Sequence, residues 1–152
     1  MNIVKGNLLD LAYDGAFDVI VHGANCFNAM GGGIAREIAQ RFPLAQDEDN
    51  KTVRGDYNKL GNYTQVEIDN TFIIVNAYTQ YDVSNGQDVF EYTAFKLILQ
   101  KLAQEYPMAR FGFPAIGMGL ANGNKTRIMG MLAEFSETIS ETGGTFTLVE
   151  FA

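Results

Sequence analysis

The chain has 152 residues, short enough for one domain spanning 1–152 and long enough to bury a proper core. Its composition, 47% hydrophobic and 19% charged with three prolines, is that of an ordinary globular chain, with no low-complexity stretch and no apolar run near the roughly 20 residues of a membrane span. Eighteen acidic residues against eleven basic give a net charge of −7, which argues against a membrane surface or a general nucleic-acid partner, because Lys and Arg supply the attraction to phosphate backbones.

One cysteine, Cys26, excludes an internal disulfide and suits a reducing cytoplasm. His22 is the only other soft ligand, so neither a metal nor another cofactor is expected. The opening "MNIVKGNLLD" lacks the basic and apolar regions of a signal peptide. If so acidic a chain binds a phosphorylated ligand, backbone N–H groups and helix N-termini must do most of the work.

In chain order, "MNIVKG" reads as a short strand and "FDVIVHGA" as a strand buried on both faces. Asp10, Asp14 and Asp18 between them read as solvated loop charges. "NCFNAMGGGIAREIAQRF" follows, with Ile34, Ile38 and Phe42 four apart on one face of a helix that Pro43 closes. "PLAQDEDNKTVRGDYNKLG" is polar and helical in its first half. "NYTQVEI" and "TFIIVNAY" form a hairpin about Asp69-Asn70.

A helix carrying Phe95, Ile98, Leu99, Leu102 and Tyr106 comes next, its start marked by capping-box spacing at Ser84 and Gln87 or at Asp88 and Glu91. "RFGFPAIGMGLANGN" is a short strand running into a second glycine-rich loop. A last helix begins at Asn124 and ends at Gly143-Gly144, and "TFTLVEFA" is a closing strand. Strands alternating with helices, with one hairpin, predict a three-layer α/β/α sandwich around a mixed central sheet. Both glycine-rich loops follow strands and precede helices, so both are expected at one crevice beyond the strands' carboxyl ends.

The triplet Gly31, Gly32 and Gly33 leaves bare amides at a helix N-terminus that can wrap an anion or a sugar, more glycine than a tight turn requires. "PAIGMGLANGNKT" fails the P-loop spacing because Asn124 precedes Lys125. Neither loop has the dinucleotide pattern, since positions 36 and 122 are arginine and asparagine. His22 ends a buried strand just before the first loop and is expected to face the crevice as a general acid or a nucleophile, although such a histidine is often structural. G-x-S-x-G is absent, and of the three serines only Ser84 lies outside a predicted helix. Asp82 follows a buried strand on the same side as both loops, and Asn7 and Asp10 follow the first strand, where they can touch a ligand from its edge. Phe151 offers an aromatic face for a purine or, alternatively, an ordinary core contact.

"VIVHGANCFNAMGGGIAREI", "FPAIGMGLANG" and the opening "VKGN" together resemble the macrodomains, which bind ADP-ribose and its derivatives. The likeness spans essentially the whole chain. It is greatest to the branch with ADP-ribose 1″-phosphate phosphatases and the related ADP-ribosyl-glutamate hydrolases. The resemblance implies that Asn7 and the backbone of Leu8 read adenine, with asparagine where the family usually has aspartate. It implies that Asn25, Gly31, Gly32, Gly33 and Ile34 surround the distal ribose. Ile116, Gly117, Met118, Gly119 and Leu120 would then wrap the diphosphate, and Phe151 would stack on adenine.

Gln80 and Ala121 stand where the glutamate-specific hydrolases have a lysine and an aspartate, so a lysine-adduct mechanism is not implied. His22 matches the phosphatase members, with Asp82 its nearest acidic partner. The expected activity is removal of phosphate from ADP-ribose 1″-phosphate, carried by His22, Asn25 and Asp82. The alternatives are removal of ADP-ribose from modified macromolecules and a non-catalytic ADP-ribose reader.

Overall fold

The computed structural model describes residues 1–83 and 86–151. Its elements in chain order are β1 (Asn2–Gly6), α1 (Leu8–Tyr13), β2 (Val19–Asn25), α2 (Gly33–Arg41), α3 (Pro43–Asn50), β3 (Tyr63–Ile68), β4 (Phe72–Gln80), α4 (Tyr92–Glu105), β5 (Arg110–Phe113), α5 (Lys125–Glu141) and β6 (Thr145–Phe151). The strands form one six-stranded sheet in the order β1-β6-β5-β2-β4-β3. Every pairing is parallel except the β3–β4 hairpin. The expected mixed-sheet sandwich is therefore the architecture found. Among the described residues no helix is long and apolar enough to cross a membrane.

The apolar run in β2 reflects burial on both faces. Val19 and Val21 pack with α4 and α5 through Phe95, Ile98, Leu132 and Phe135, while Ile20 joins the opposite layer with Leu9 of α1 and Ile38 of α2. The turn joining β3 to β4 has positive φ at both Asp69 (50°) and Asn70 (54°), as a two-residue hairpin requires of residues that tolerate the left-handed region.

Three local expectations change. The segment after β1 is not a loop but α1, capped by Asn7, whose side-chain oxygen accepts from the Asp10 amide at 3.0 Å. Asp10 and Asp18 are solvated, as expected, but Asp10 belongs to α1 rather than a loop and both carboxylates are paired. Asp10 pairs with Arg41 of α2 at 2.5 Å, and Asp18 meets Arg110 of β5 at 2.9 Å. The Arg110 hydrogen bonds hold the Asp18 carboxyl below its usual range, with partial burial opposing. No capping box opens α4, because its N-cap Glu91 makes no side-chain cap bond. Asp88 instead accepts from the Phe90 amide and the Tyr92 hydroxyl. Ser84, the other candidate for that role, lies outside the described residues.

Two glycines away from the loops differ in their surroundings. A Cβ on Gly112 of β5 would sit 2.6 Å from the buried Phe17 ring, whereas one on Gly130, exposed in α5, would meet nothing within 4 Å. Gly112→Ala is expected to lower stability by about 1–3 kcal/mol through overpacking, and Gly130→Ala to raise it by about 1 kcal/mol through helix propensity. Paired urea melts of the two variants check both signs.

Candidate functional site

A cleft of about 770 Å³ opens beyond the carboxyl ends of β1, β2, β4, β5 and β6. Both glycine-rich loops line it, as expected from their place after parallel strands. Asn7, Leu8, Asn25, Gly31, Gly32, Gly33, Ile34, Ile116, Gly117, Gly119, Leu120 and Phe151 are all on its walls. Glu37 is the one ionisable side chain of the lining among the described residues.

The first loop is shaped by Asn25. Its Oδ1 accepts from the Phe27 amide at 3.0 Å and the Ala29 amide at 3.3 Å, while its Nδ2 donates to the Ala29 carbonyl at 2.9 Å. One amide hydrogen of Asn25 has no acceptor among the described residues. The chain then reaches α2 through Gly32, which caps the helix with no side-chain bond, so the first amides of α2 are left for another partner. Gly33 has φ of +56°, a conformation that disfavours a side chain. Gly31 needs no such conformation, and a Cβ there would meet nothing within 4 Å.

In the second loop Gly117 is fixed by packing. Its φ is +74°, and a Cβ would lie 2.6 Å from the Phe90 ring. Gly123 donates to the Gly117 carbonyl at 2.7 Å and closes the turn. Gly119 resembles Gly31 in having open space where a Cβ would stand. The amides of Gly119 and Leu120 donate to no acceptor among the described residues. The exposed Leu120 side chain reaches over the triplet, 3.1 Å from where a Gly32 Cβ would be.

Three expected site residues stand elsewhere. His22 does not face the crevice. It lies on the face of β2 opposite Gly23 and Asn25, is 1% exposed, and shares a 2.6 Å hydrogen bond between Nε2 and Asn76 Oδ1. Asn76 Nδ2 donates to the Ala45 carbonyl of α3 and to Thr64, so its oxygen faces the ring and Nε2 carries the proton. Burial holds the imidazole pKa below its ordinary value, against the Asn76 hydrogen bond, leaving a neutral ring out of reach of the cleft. Asp82 is exposed and off the cleft wall, its carboxylate accepting from the Val83 amide at 2.7 Å. Met118 packs against the core beneath the second loop rather than lining the cleft.

Behind the first loop lies a polar layer that sequence reading did not resolve. Lys59, 7% exposed, donates to the Cys26 carbonyl at 2.9 Å and to Asn28 Oδ1 at 2.6 Å. Its ammonium lies 5.2 Å from the Tyr78 ring centroid, and the Tyr78 hydroxyl donates to buried Asp49 at 2.7 Å. Burial raises the Tyr78 pKa well above the usual phenol range. These contacts pin the loop between Cys26 and Asn28 and thereby fix the approach to the triplet. Glu37 was also missed, though its place one turn into α2 after the glycines could have marked it. Gln80 and Ala121 both line the cleft as uncharged groups.

No family model matches the chain. It is similar to an uncharacterized 17.5 kDa protein from the tk-vs intergenic region of Enterobacteria phage T4, with 31% identity over 144 residues that cover 90% of each chain. Among solved structures it is similar to the macrodomain of Thermus aquaticus DarG, with a TM-score of 0.72 and 18% identity over 98% of this chain and 96% of that one. It is also similar to Thermosipho africanus DarTG in complex with ADP-ribose, with a TM-score of 0.71 and 13% identity over 100% of this chain and 42% of that one.

The burial of His22 has a measurable consequence. With its folded pKa below the ordinary 6.5, the unfolded chain binds the proton more readily, so this contribution to stability is complete above that value and is lost as pH falls through the folded one. Thermal melts from about pH 7.5 down to about pH 5 are expected to decline, and His22→Gln to decline less steeply over that window. Parallel curves would contradict a buried neutral imidazole.

Proposed function

The chain belongs to the family of the phage T4 17.5 kDa protein and has the macrodomain fold, and from that premise we propose that its cleft binds ADP-ribose and close derivatives of it. The observation that carries this reading is the pair Gly31 and Gly119. One comes from each loop, both line the cleft, neither has a positive φ, and neither would crowd a neighbour with a Cβ. Their missing side chains serve the space between the loops rather than the fold. A diphosphate there meets the uncapped start of α2 on one side and the amides of Gly119 and Leu120 on the other.

Phe151, 78% exposed at the rim, is free of the core and available to stack on a base. Asn25, lining the cleft with one amide hydrogen that no described residue accepts, serves the distal ribose in this reading. The Thermosipho africanus protein similar to this chain is in complex with ADP-ribose, which supports the same choice of ligand. A lone free thiol, Cys26, suits action in the cytoplasm.

A second reading, hydrolysis of ADP-ribose 1″-phosphate, is favoured by that same amide hydrogen of Asn25 at the cleft wall. In that reaction the buried His22 takes no part; Asn25 holds the distal ribose while water attacks the phosphorus, the P–O1″ bond breaks, and ADP-ribose leaves with the oxygen as its 1″-hydroxyl.

Calorimetry with ADP-ribose tests the binding. Gly31→Val is expected to bind at least about tenfold more weakly, a loss of about 1.4 kcal/mol, with an unchanged melting temperature. Equal affinity in the variant, or no binding by the parent protein, would overturn the proposal. For the second reading, phosphate release from ADP-ribose 1″-phosphate is expected to survive His22→Gln and to fall in Asn25→Ala. No release from the parent protein leaves a binding module.

A further inference from the structure

At one end of the cleft two polar side chains from different helices come together. Gly6 pairs with Phe151 across the β1–β6 ladder, so Asn7 leaves the sheet beside the exposed ring. Asp10 lies one turn beyond Asn7 and is bridged to Arg41 of α2 at 2.5 Å. Glu37 lies one turn before Arg41 on the same helix face, so the bridge sets Glu37 opposite Asn7. Both residues line the main cleft and also a polar alcove of about 330 Å³ that continues from it toward Gln40 and Arg41.

Their hydrogen-bonding states are complementary. The Asn7 oxygen is taken up in capping α1, so what Asn7 offers a ligand is its Nδ2 donor. Glu37 is exposed, and its carboxylate accepts from no group among the described residues, while Arg41 of the same helix directs Nη1 to Asp10. A donor beside an acceptor-only group matches the edge of an adenine ring, which presents an amino donor next to a ring-nitrogen acceptor.

Resting on the ADP-ribose reading above, we infer that Glu37 is the residue that selects the base: its carboxylate accepts from the exocyclic amino group of adenine while Asn7 Nδ2 donates to the neighbouring ring nitrogen. The hydrogen bond to an ionised acceptor makes Glu37 the stronger of the two contacts. Recognition of the base thus comes from α2, the same helix whose N-terminus faces the diphosphate.

A cycle of one substitution and one ligand change tests this. The two ligands are ADP-ribose and its analogue with unsubstituted purine in place of adenine, titrated calorimetrically into the parent protein and into Glu37→Ala. The parent is expected to bind the analogue about tenfold more weakly than ADP-ribose, and Glu37→Ala to bind both alike at the weaker level. Glu37→Gln, which keeps a neutral acceptor, is expected to fall between them. An equal penalty for the missing amino group in the parent and in Glu37→Ala would overturn the assignment of Glu37 while leaving ADP-ribose binding intact. Failure of the parent to bind either ligand would overturn the ADP-ribose reading and this inference with it.

Discussion

β2 lies between β5 and β4 with all three strands running the same way, so the loops that leave β2 and β5 emerge side by side at one edge of the sheet. Parallel strands end with their backbone unpaired at that edge, and each loop must turn back into a helix that covers a face. Here both turns are made largely from glycine, and the main chain itself becomes the wall of the cleft. The position of Asn25, the uncapped start of α2 and the exposed ring of Phe151 all follow from where these strands stop.

Fixed backbone needs support from below, and the buried polar layer beneath the first loop gives it. Lys59 holds Cys26 and Asn28 from behind, and His22, Asn76, Thr64 and Ala45 join β2, β4, β3 and α3 through hydrogen bonds. A neutral imidazole suits this place because a charged one would carry a desolvation cost. The histidine is part of the scaffold that aims the loop, and the chemistry of the cleft is left to amides, a few uncharged side chains and the carboxylate of Glu37.

Much of this was readable in the sequence because it was written in local patterns. The glycine triplet before an amphipathic run announced both a helix start and a bare wall, and Asp69-Asn70 announced the hairpin. The side of the strand on which His22 lies was not readable. A strand buried on both faces has no alternation to fix which residues point to which layer. Helix α1 escaped because six residues are too few for a periodicity, and its stabilising contact from Asp10 comes from Arg41, 31 positions away. The partner of Asp18 lies 92 positions away, a distance over which spacing carries no signal. Glu37 was hidden for a related reason, since an acidic residue on an exposed helix face looks like ordinary surface until the neighbouring helix is set beside it.

The lining of the cleft carries no Lys or Arg among the described residues. An anion drawn in by fixed dipoles displaces few condensed counterions, and short-range N–H contacts are little weakened by added electrolyte. Affinity for a phosphorylated sugar should then vary only shallowly with ionic strength. A molecule of net charge −7 would repel such a ligand at long range in dilute buffer, and added salt would ease its arrival.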